Sequence, residues 1–107
     1  MHYFTLEQRE TLQRTLEQRA RELRAEIGED RLADLAAEPE AAALERDVEE
    51  LRAVEQALAR LHEPEFGICQ DCRSEIPFAR LLATPFATRC IACQADFERK
   101  RRPAKAA

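Results

Sequence analysis

The sequence predicts an all-α protein: a long antiparallel coiled-coil helical hairpin followed by a small four-cysteine zinc finger with a C-terminal helix. Three observations predict it. Two stretches carry narrow leucine stripes at helical spacing, and two Cys-x-x-Cys pairs follow them. Of the 107 residues, 36% are charged and only two are glycine, a composition typical of long solvated helices. The predicted organisation is a hairpin over residues 1–63 with its tip near 28–39, a finger over 64–98 and a basic flexible tail over 99–107.

The first predicted helix runs from about Thr5 to Ile27. Its start fits a capping box, because the Thr5 hydroxyl and the Gln8 side chain can each satisfy an unpaired backbone N–H. Gly28 is the expected C-terminal cap. At 1.5 Å per residue such a helix is about 34 Å long. Its apolar stripe consists of Leu12, Leu16, Ala20, Leu23 and Ile27.

The second predicted helix runs from Glu40 to about His62, with Pro39 suited to its first turn and Pro64 ending it. The stretch 29–38 between the helices is less regular. Two helices with one narrow stripe each pair most simply as an antiparallel hairpin, so we expect a monomer, although the same seam could join two chains. The second stripe consists of Leu44, Val48, Leu51, Val54, Leu58 and Leu61.

Four cysteines have the spacing of a zinc site. Cys69 and Cys72 are followed, after seventeen residues, by Cys90 and Cys93. This spacing favours one structural Zn²⁺ per chain held by four thiolates. Two disulfides are the alternative, but they require an oxidising compartment, and the chain shows neither a signal peptide nor an apolar run able to cross a bilayer. We therefore expect a cytoplasmic protein. His62 is a weaker candidate for a zinc ligand.

The interval between the cysteine pairs supplies a small apolar core beside the metal, and a short helix from Ile91 to Arg101 is expected to carry Phe97 on its inner side. A domain of this size needs zinc binding for much of its folding free energy. The expected core residues are Ile76, Pro77, Phe78, Leu81, Leu82, Pro85 and Phe86.

Charge is distributed unevenly. Residues 1–65 hold 17 acidic and 9 basic side chains, a formal charge of −8, whereas residues 66–107 hold 4 acidic and 8 basic, a formal charge of +4. Nucleic acid repels an acidic hairpin, and a basic protein surface attracts it. Four cysteines complete a zinc shell and leave no open position for catalysis, so no enzyme is expected. An alternative function is a zinc finger adaptor or nucleic-acid-binding module that uses the basic C-terminal tail.

The finger resembles that of the DksA/TraR family of bacterial transcription regulators. The residues that carry the resemblance lie within 64–98: Phe66-Gly67-Ile68-Cys69-Gln70-Asp71-Cys72, Ile76, Arg80-Leu81, Ala83, Pro85 and Arg89-Cys90-Ile91-Ala92-Cys93. The hairpin agrees with the family more loosely, by helix order and length.

The resemblance implies a mode of action. Members of the family bind RNA polymerase directly and need no sequence-specific DNA binding. Their finger docks at the rim of the secondary channel, and their coiled-coil tip approaches the active-site magnesium. This modulates initiation, in some members together with guanosine tetraphosphate.

The tip departs from the family's Asp-x-x-Asp-x-Ala signature. The best match is Asp30 and Asp34 with Ala36, which has one extra residue between the aspartates. Only Asp34-x-Ala36 transfers directly, and a second register begins at Glu38. Acidic residues here also suit the start of a helix, which is the simpler explanation. Arg73 stands where a glycine commonly follows the first cysteine pair.

Overall fold

The computed structural model describes residues 4–38 and 45–101. It is helical, as predicted, with helices α1 (Leu6–Ile27), α2 (Glu29–Ala37), α3 (Arg46–Arg60), α4 (Phe78–Ala83) and α5 (Ile91–Arg101). The chain forms two compact units, Met1–Phe66 and Gly67–Ala107. No helix within the described ranges combines the length and apolarity needed to cross a membrane.

Helix α1 begins as the sequence predicts. The Thr5 hydroxyl accepts a hydrogen bond from the Gln8 N–H, and the Thr5 N–H donates to the Gln8 side chain, both at 3.0 Å. At the other end the Gly28 N–H donates to the Arg24 carbonyl at 2.9 Å. Gly28 has φ of 88°, a conformation that glycine adopts without the Cβ clash of other residues. Both predicted ends of the helix are therefore confirmed.

Helix α1 packs antiparallel against α3. Phe4 lies near Phe66 with ring centroids 6.0 Å apart, whereas Arg19 pairs with Glu50 further along the hairpin. The stripes meet in the seam between the helices, although Leu58 is only half-buried and Ala57 takes a buried place that the prediction did not give it. Leu44 lies outside the described residues. The buried seam residues are Leu12, Leu16, Ala20, Leu23, Val48, Leu51, Val54, Ala57 and Leu61.

The tip contains a helix where the sequence suggested less regular structure. After the break at Gly28 the chain turns into α2, whose first turn carries Glu29 and Asp30. Leu35 of α2 is buried with Val48 of α3, which anchors α2 to the hairpin. Local apolar burial therefore stabilises a helical turn that the sequence pattern left open. The proposed helix start at Pro39 and the part of the second tip register beyond Glu38 lie outside the described residues. Helix α3 begins at Arg46, and Glu45 before it is in extended backbone, so the predicted continuous helix from Glu40 is wrong at that position.

The C-terminal unit is built around a turn and two short helices. An isolated antiparallel bridge pairs Ile68 with Glu75, and the Ile76 N–H donates to the Gly67 carbonyl at 2.7 Å. Ile76 and Leu81 are fully buried, as predicted. Pro77 is exposed. Leu82 is 43% exposed as well, so the predicted places of both residues in this core are wrong. Leu82 follows Leu81 on the short helix α4, and neighbouring helical positions point in different directions.

Candidate metal centre

The four cysteine side chains meet at one point of the C-terminal unit. All four sulfur atoms lie within 4.8 Å of one another, and no disulfide joins them. The Sγ atoms of Cys72 and Cys90 are 3.9 Å apart. Four sulfurs bound tetrahedrally to zinc at about 2.3 Å would be about 3.8 Å apart. The donor set and its spacing therefore fit one Zn²⁺ ion.

The first pair is held by a tight turn. The Cys69 N–H donates to the Ser74 carbonyl at 2.8 Å, and the Arg73 N–H donates to the Cys69 carbonyl at 2.9 Å. The turn requires φ of 66° at Arg73, in the left-handed region that favours glycine. This conformation explains why glycine suits the position that follows a first cysteine pair. The turn directs both sulfurs to the same side.

The second pair opens helix α5. Cys90 precedes Ile91, and the Cys93 N–H donates to the Cys90 sulfur at 3.4 Å. The Gln70 N–H donates to the Thr88 carbonyl at 2.9 Å, which joins the segment before Cys90 to the first pair. Backbone hydrogen bonds thus bring the two pairs together even though seventeen residues separate them.

The surroundings of the sulfurs favour thiolates at the first pair. Burial raises the pKa of Cys69, but N–H groups of Cys72, Cys90 and Asp71 outweigh it and lower that pKa to about 6. The Ser74 hydroxyl, with the Ser74 N–H, lowers the pKa of Cys72. These donors stabilise negative charge on sulfur, as a metal ligand requires.

The second pair shows why a cation suits the cluster. Hydrogen bonding to Cys90 and Cys69, together with burial, raises the pKa of Cys93 to about 12. Crowded sulfurs share their protons because adjacent thiolates repel one another. A dication offsets that repulsion and allows all four to ionise. His62 is exposed, and the cluster among the described residues consists of the four cysteines.

Sequence reasoning did not identify two arginines near the cluster as part of the site. Arg80 donates from Nε to the Arg89 carbonyl at 3.1 Å. The Arg89 Nε donates to the Asp71 carboxylate at 2.7 Å, and its guanidinium lies 3.9 Å from the centre of the Phe97 ring. Both arginines belong to the motif, but only the fold shows what they contact.

The tip residues lie on α2. Asp30 and Asp34 are exposed and four positions apart, so they share one face of the helix. Ala36 is exposed two positions beyond Asp34 and therefore lies on a different side of α2.

Comparison with known proteins identifies the family. The model of the prokaryotic DksA/TraR C4-type zinc finger matches residues 64–99. An uncharacterized 8.2 kDa protein of Escherichia phage P2 is 37% identical over 67 residues, which cover 63% of this chain and 82% of the phage protein. An uncharacterized Aquifex aeolicus protein is 35% identical over 54 residues, 50% of this chain and 37% of that protein's length.

Two solved structures share the fold over nearly the whole chain. The transcription factor DksA2 from Pseudomonas aeruginosa has a TM-score of 0.68 and 27% identity, with 94% of this chain and 91% of that one covered. A Chlamydia trachomatis protein, described as the RNA polymerase binding protein and transcriptional regulator Dks, has a TM-score of 0.66 and 25% identity, with 94% and 99% covered. The finger, the cysteine cluster and the hairpin thus agree, and the chain belongs to the DksA/TraR family of C4-type zinc finger transcription regulators.

Proposed function

We propose that this protein binds RNA polymerase at its secondary channel and directs the hairpin tip toward the active site to modulate initiation. The observation that carries the proposal is the match of 94% of the chain to a structure described as an RNA polymerase binding protein. Because that match includes both helices of the hairpin, it extends beyond the 64–99 segment that the family model covers.

The tip supports this proposal because its carboxylates lie on a helix that is packed against the hairpin. Leu35 is buried and packs with Val48, Ile27 and Leu32. That cluster holds one side of α2 while Asp34 remains exposed. A carboxylate held by a packed helix reaches a basic pocket or a bound divalent ion with less loss of conformational entropy than one on a free loop.

Helix-terminus electrostatics does not account for both aspartates. Asp30 lies in the first turn of α2, where the helix dipole favours an acid. Asp34 is the sixth residue of the same helix, beyond the reach of that effect. We therefore assign the effect on transcription to Asp34. Asp30 lies beside it on the same face of α2, whereas Ala36 lies on a different side of the helix.

The remaining parts of the proposal follow from the zinc centre. Cys69, Cys72, Cys90 and Cys93 hold one structural zinc ion, and four protein ligands leave it no position for a substrate. The protein acts without catalysis, as a monomer, with the finger as its docking unit at the channel rim. Guanosine tetraphosphate would act only in the complex with polymerase.

A binding experiment tests the proposal. Labelled, zinc-loaded full-length protein should bind core RNA polymerase at moderate salt, and another secondary-channel factor should displace it. No binding, or binding that the competitor leaves unchanged, contradicts the channel assignment. Steep salt-dependent binding to DNA that is lost on deletion of 99–107 would instead indicate a nucleic-acid-binding module.

A further inference from the structure

Arg89 contacts two other segments of the C-terminal unit at once. Its Nε donates to Asp71 within the first cysteine pair at 2.7 Å. Its guanidinium carbon lies 3.9 Å from the ring centre of Phe97 on α5, a cation–π contact. Arg89 itself immediately precedes Cys90. One side chain therefore ties the first cysteine pair, the second pair and the C-terminal helix together.

The backbone at the same position is also fixed. Arg80 of α4 donates from its Nε to the Arg89 carbonyl at 3.1 Å. The carbonyl and the side chain of Arg89 are thus both held, from different elements. The Arg89 side chain is 17% exposed whereas that of Asp71 is 44% exposed, so water reaches the pair from the Asp71 side and the packing of Arg89 against Phe97 holds the guanidinium in place.

We infer that Arg89 is a positioning residue of the metal centre: by bridging Asp71 and Phe97 it holds the two cysteine pairs at ligand distance and slows the loss of zinc. The inference concerns the finger alone and is independent of polymerase binding. It follows from the connectivity, because Arg89 adds a side-chain link between the two pairs to the backbone hydrogen bond from Gln70 to the Thr88 carbonyl. Partners beyond the ligands that fix ligand orientation commonly change metal affinity 10–100-fold.

The surface beside Cys93 shows where loosening would matter. A cleft of about 290 Å³ is lined by Cys93 together with Asp71, Arg89 and Phe97, the members of the bridge. Asp96 and Lys100 complete its lining. Without the Arg89 bridge this wall of the cleft is free to open, which gives a chelator access to the Cys93 sulfur.

The test measures zinc release from the full-length protein into excess chromogenic chelator. Arg89→Met removes the bridge and should release zinc about 10–100-fold faster, and Asp71→Asn, which keeps an acceptor but removes the charge, should also release zinc faster than wild type. Arg99→Met is the matched control: Arg99 lies on α5, as Phe97 does, and among the described residues its ion-pair partner is Asp96, three positions away, so its zinc should leave at the wild-type rate. Arg89→Lys keeps the charge but not the planar donor, and it should release zinc faster than wild type.

Two further readouts separate positioning from general destabilisation. The double variant Arg89→Met/Asp71→Asn should lose zinc no faster than Arg89→Met alone, because both changes break one contact. The cobalt-substituted Arg89→Met protein should keep a four-sulfur absorption spectrum with shifted d–d bands, since only the ligand geometry changes. The inference would be overturned if Arg89→Met released zinc at the wild-type rate or Arg89→Lys restored that rate fully. It would equally be overturned if the two single changes accelerated zinc release additively, if the cobalt spectrum were unshifted, or if Arg99→Met accelerated release as much as Arg89→Met.

Discussion

Arg9 is a buried charged residue of the hairpin. Its replacement tests quantitatively how the start of α1 is held against the end of α3. The residue is 5% exposed on α1. One terminal nitrogen donates to the carbonyl of Leu61, which follows the end of α3, and the other has no hydrogen-bond partner among residues 4–38 and 45–101. The side chain thus contributes a packed stem and one hydrogen bond, while one donor remains buried and unsatisfied.

The magnitudes predict different results for two variants. Arg9→Met keeps most of the buried stem, loses a hydrogen bond worth about 1–2 kcal/mol and removes a desolvated charge that costs a similar amount. Its free energy of unfolding should therefore lie within about 1 kcal/mol of the wild-type value. Arg9→Ala also loses the stem and leaves a cavity, so its free energy of unfolding should be about 2–4 kcal/mol below that of Arg9→Met.

Urea unfolding followed by far-UV circular dichroism at saturating zinc measures both values, since α1, α2 and α3 dominate the helical signal. Zinc saturation keeps the C-terminal unit folded, so the transition reports the hairpin. If Arg9→Met is destabilised as much as Arg9→Ala, the bond to Leu61 dominates over the packed stem, and the reasoning is refuted.

Other predictions concern the finger and the tip. Cys72→Ser should abolish stoichiometric binding of one zinc per chain by metal analysis, with cooperative loss of finger structure; retention of one tightly bound zinc contradicts it. Because zinc displaces protons from thiols, calorimetry at neutral pH in two buffers should show at least about one proton released per zinc, and zinc affinity should fall as pH falls; an equal heat in both buffers argues against this. Arg73→Gly should leave zinc binding intact and stabilise the finger by no more than about 1 kcal/mol, because φ of 66° suits glycine. A clear loss of stability would show that the Arg73 side chain matters more than its backbone conformation. Asp34→Asn should leave polymerase binding nearly unchanged and reduce the effect on transcription in vitro, whereas Glu10→Gln, the same charge change at an exposed position near the start of α1, should reduce neither.

Periodicity and spacing predicted the parts of the fold that depend on local chemistry. Thr5 and Gln8 predict a helix start because the two hydrogen bonds of a capping box form within four residues. The cysteine pairs predict a metal site because only a few sequence spacings let four sulfurs bind one ion. In each case the determining atoms are close in sequence, so that a pattern can carry the information.

The parts that were missed depend on contacts between distant residues. The helix α2 is stabilised where Leu35 reaches Val48, and no local pattern shows that pairing. Arg9 and Arg89 look like surface charges in the sequence, yet the fold buries the first and sets the second between an aspartate and a ring. Leu82 reads as core because it is apolar, but its position on α4 turns it to solvent.

A photo-crosslinking amino acid at position 34 of the zinc-loaded protein, in complex with core RNA polymerase, tests most directly whether the tip enters the secondary channel. Residue 34 is exposed on α2, so the substitution leaves the packing of Leu35 undisturbed. We expect crosslinks to polymerase segments that line the secondary channel close to the catalytic magnesium, and a competing channel factor should suppress them. Stable binding with crosslinks confined to the outer surface of polymerase would contradict it.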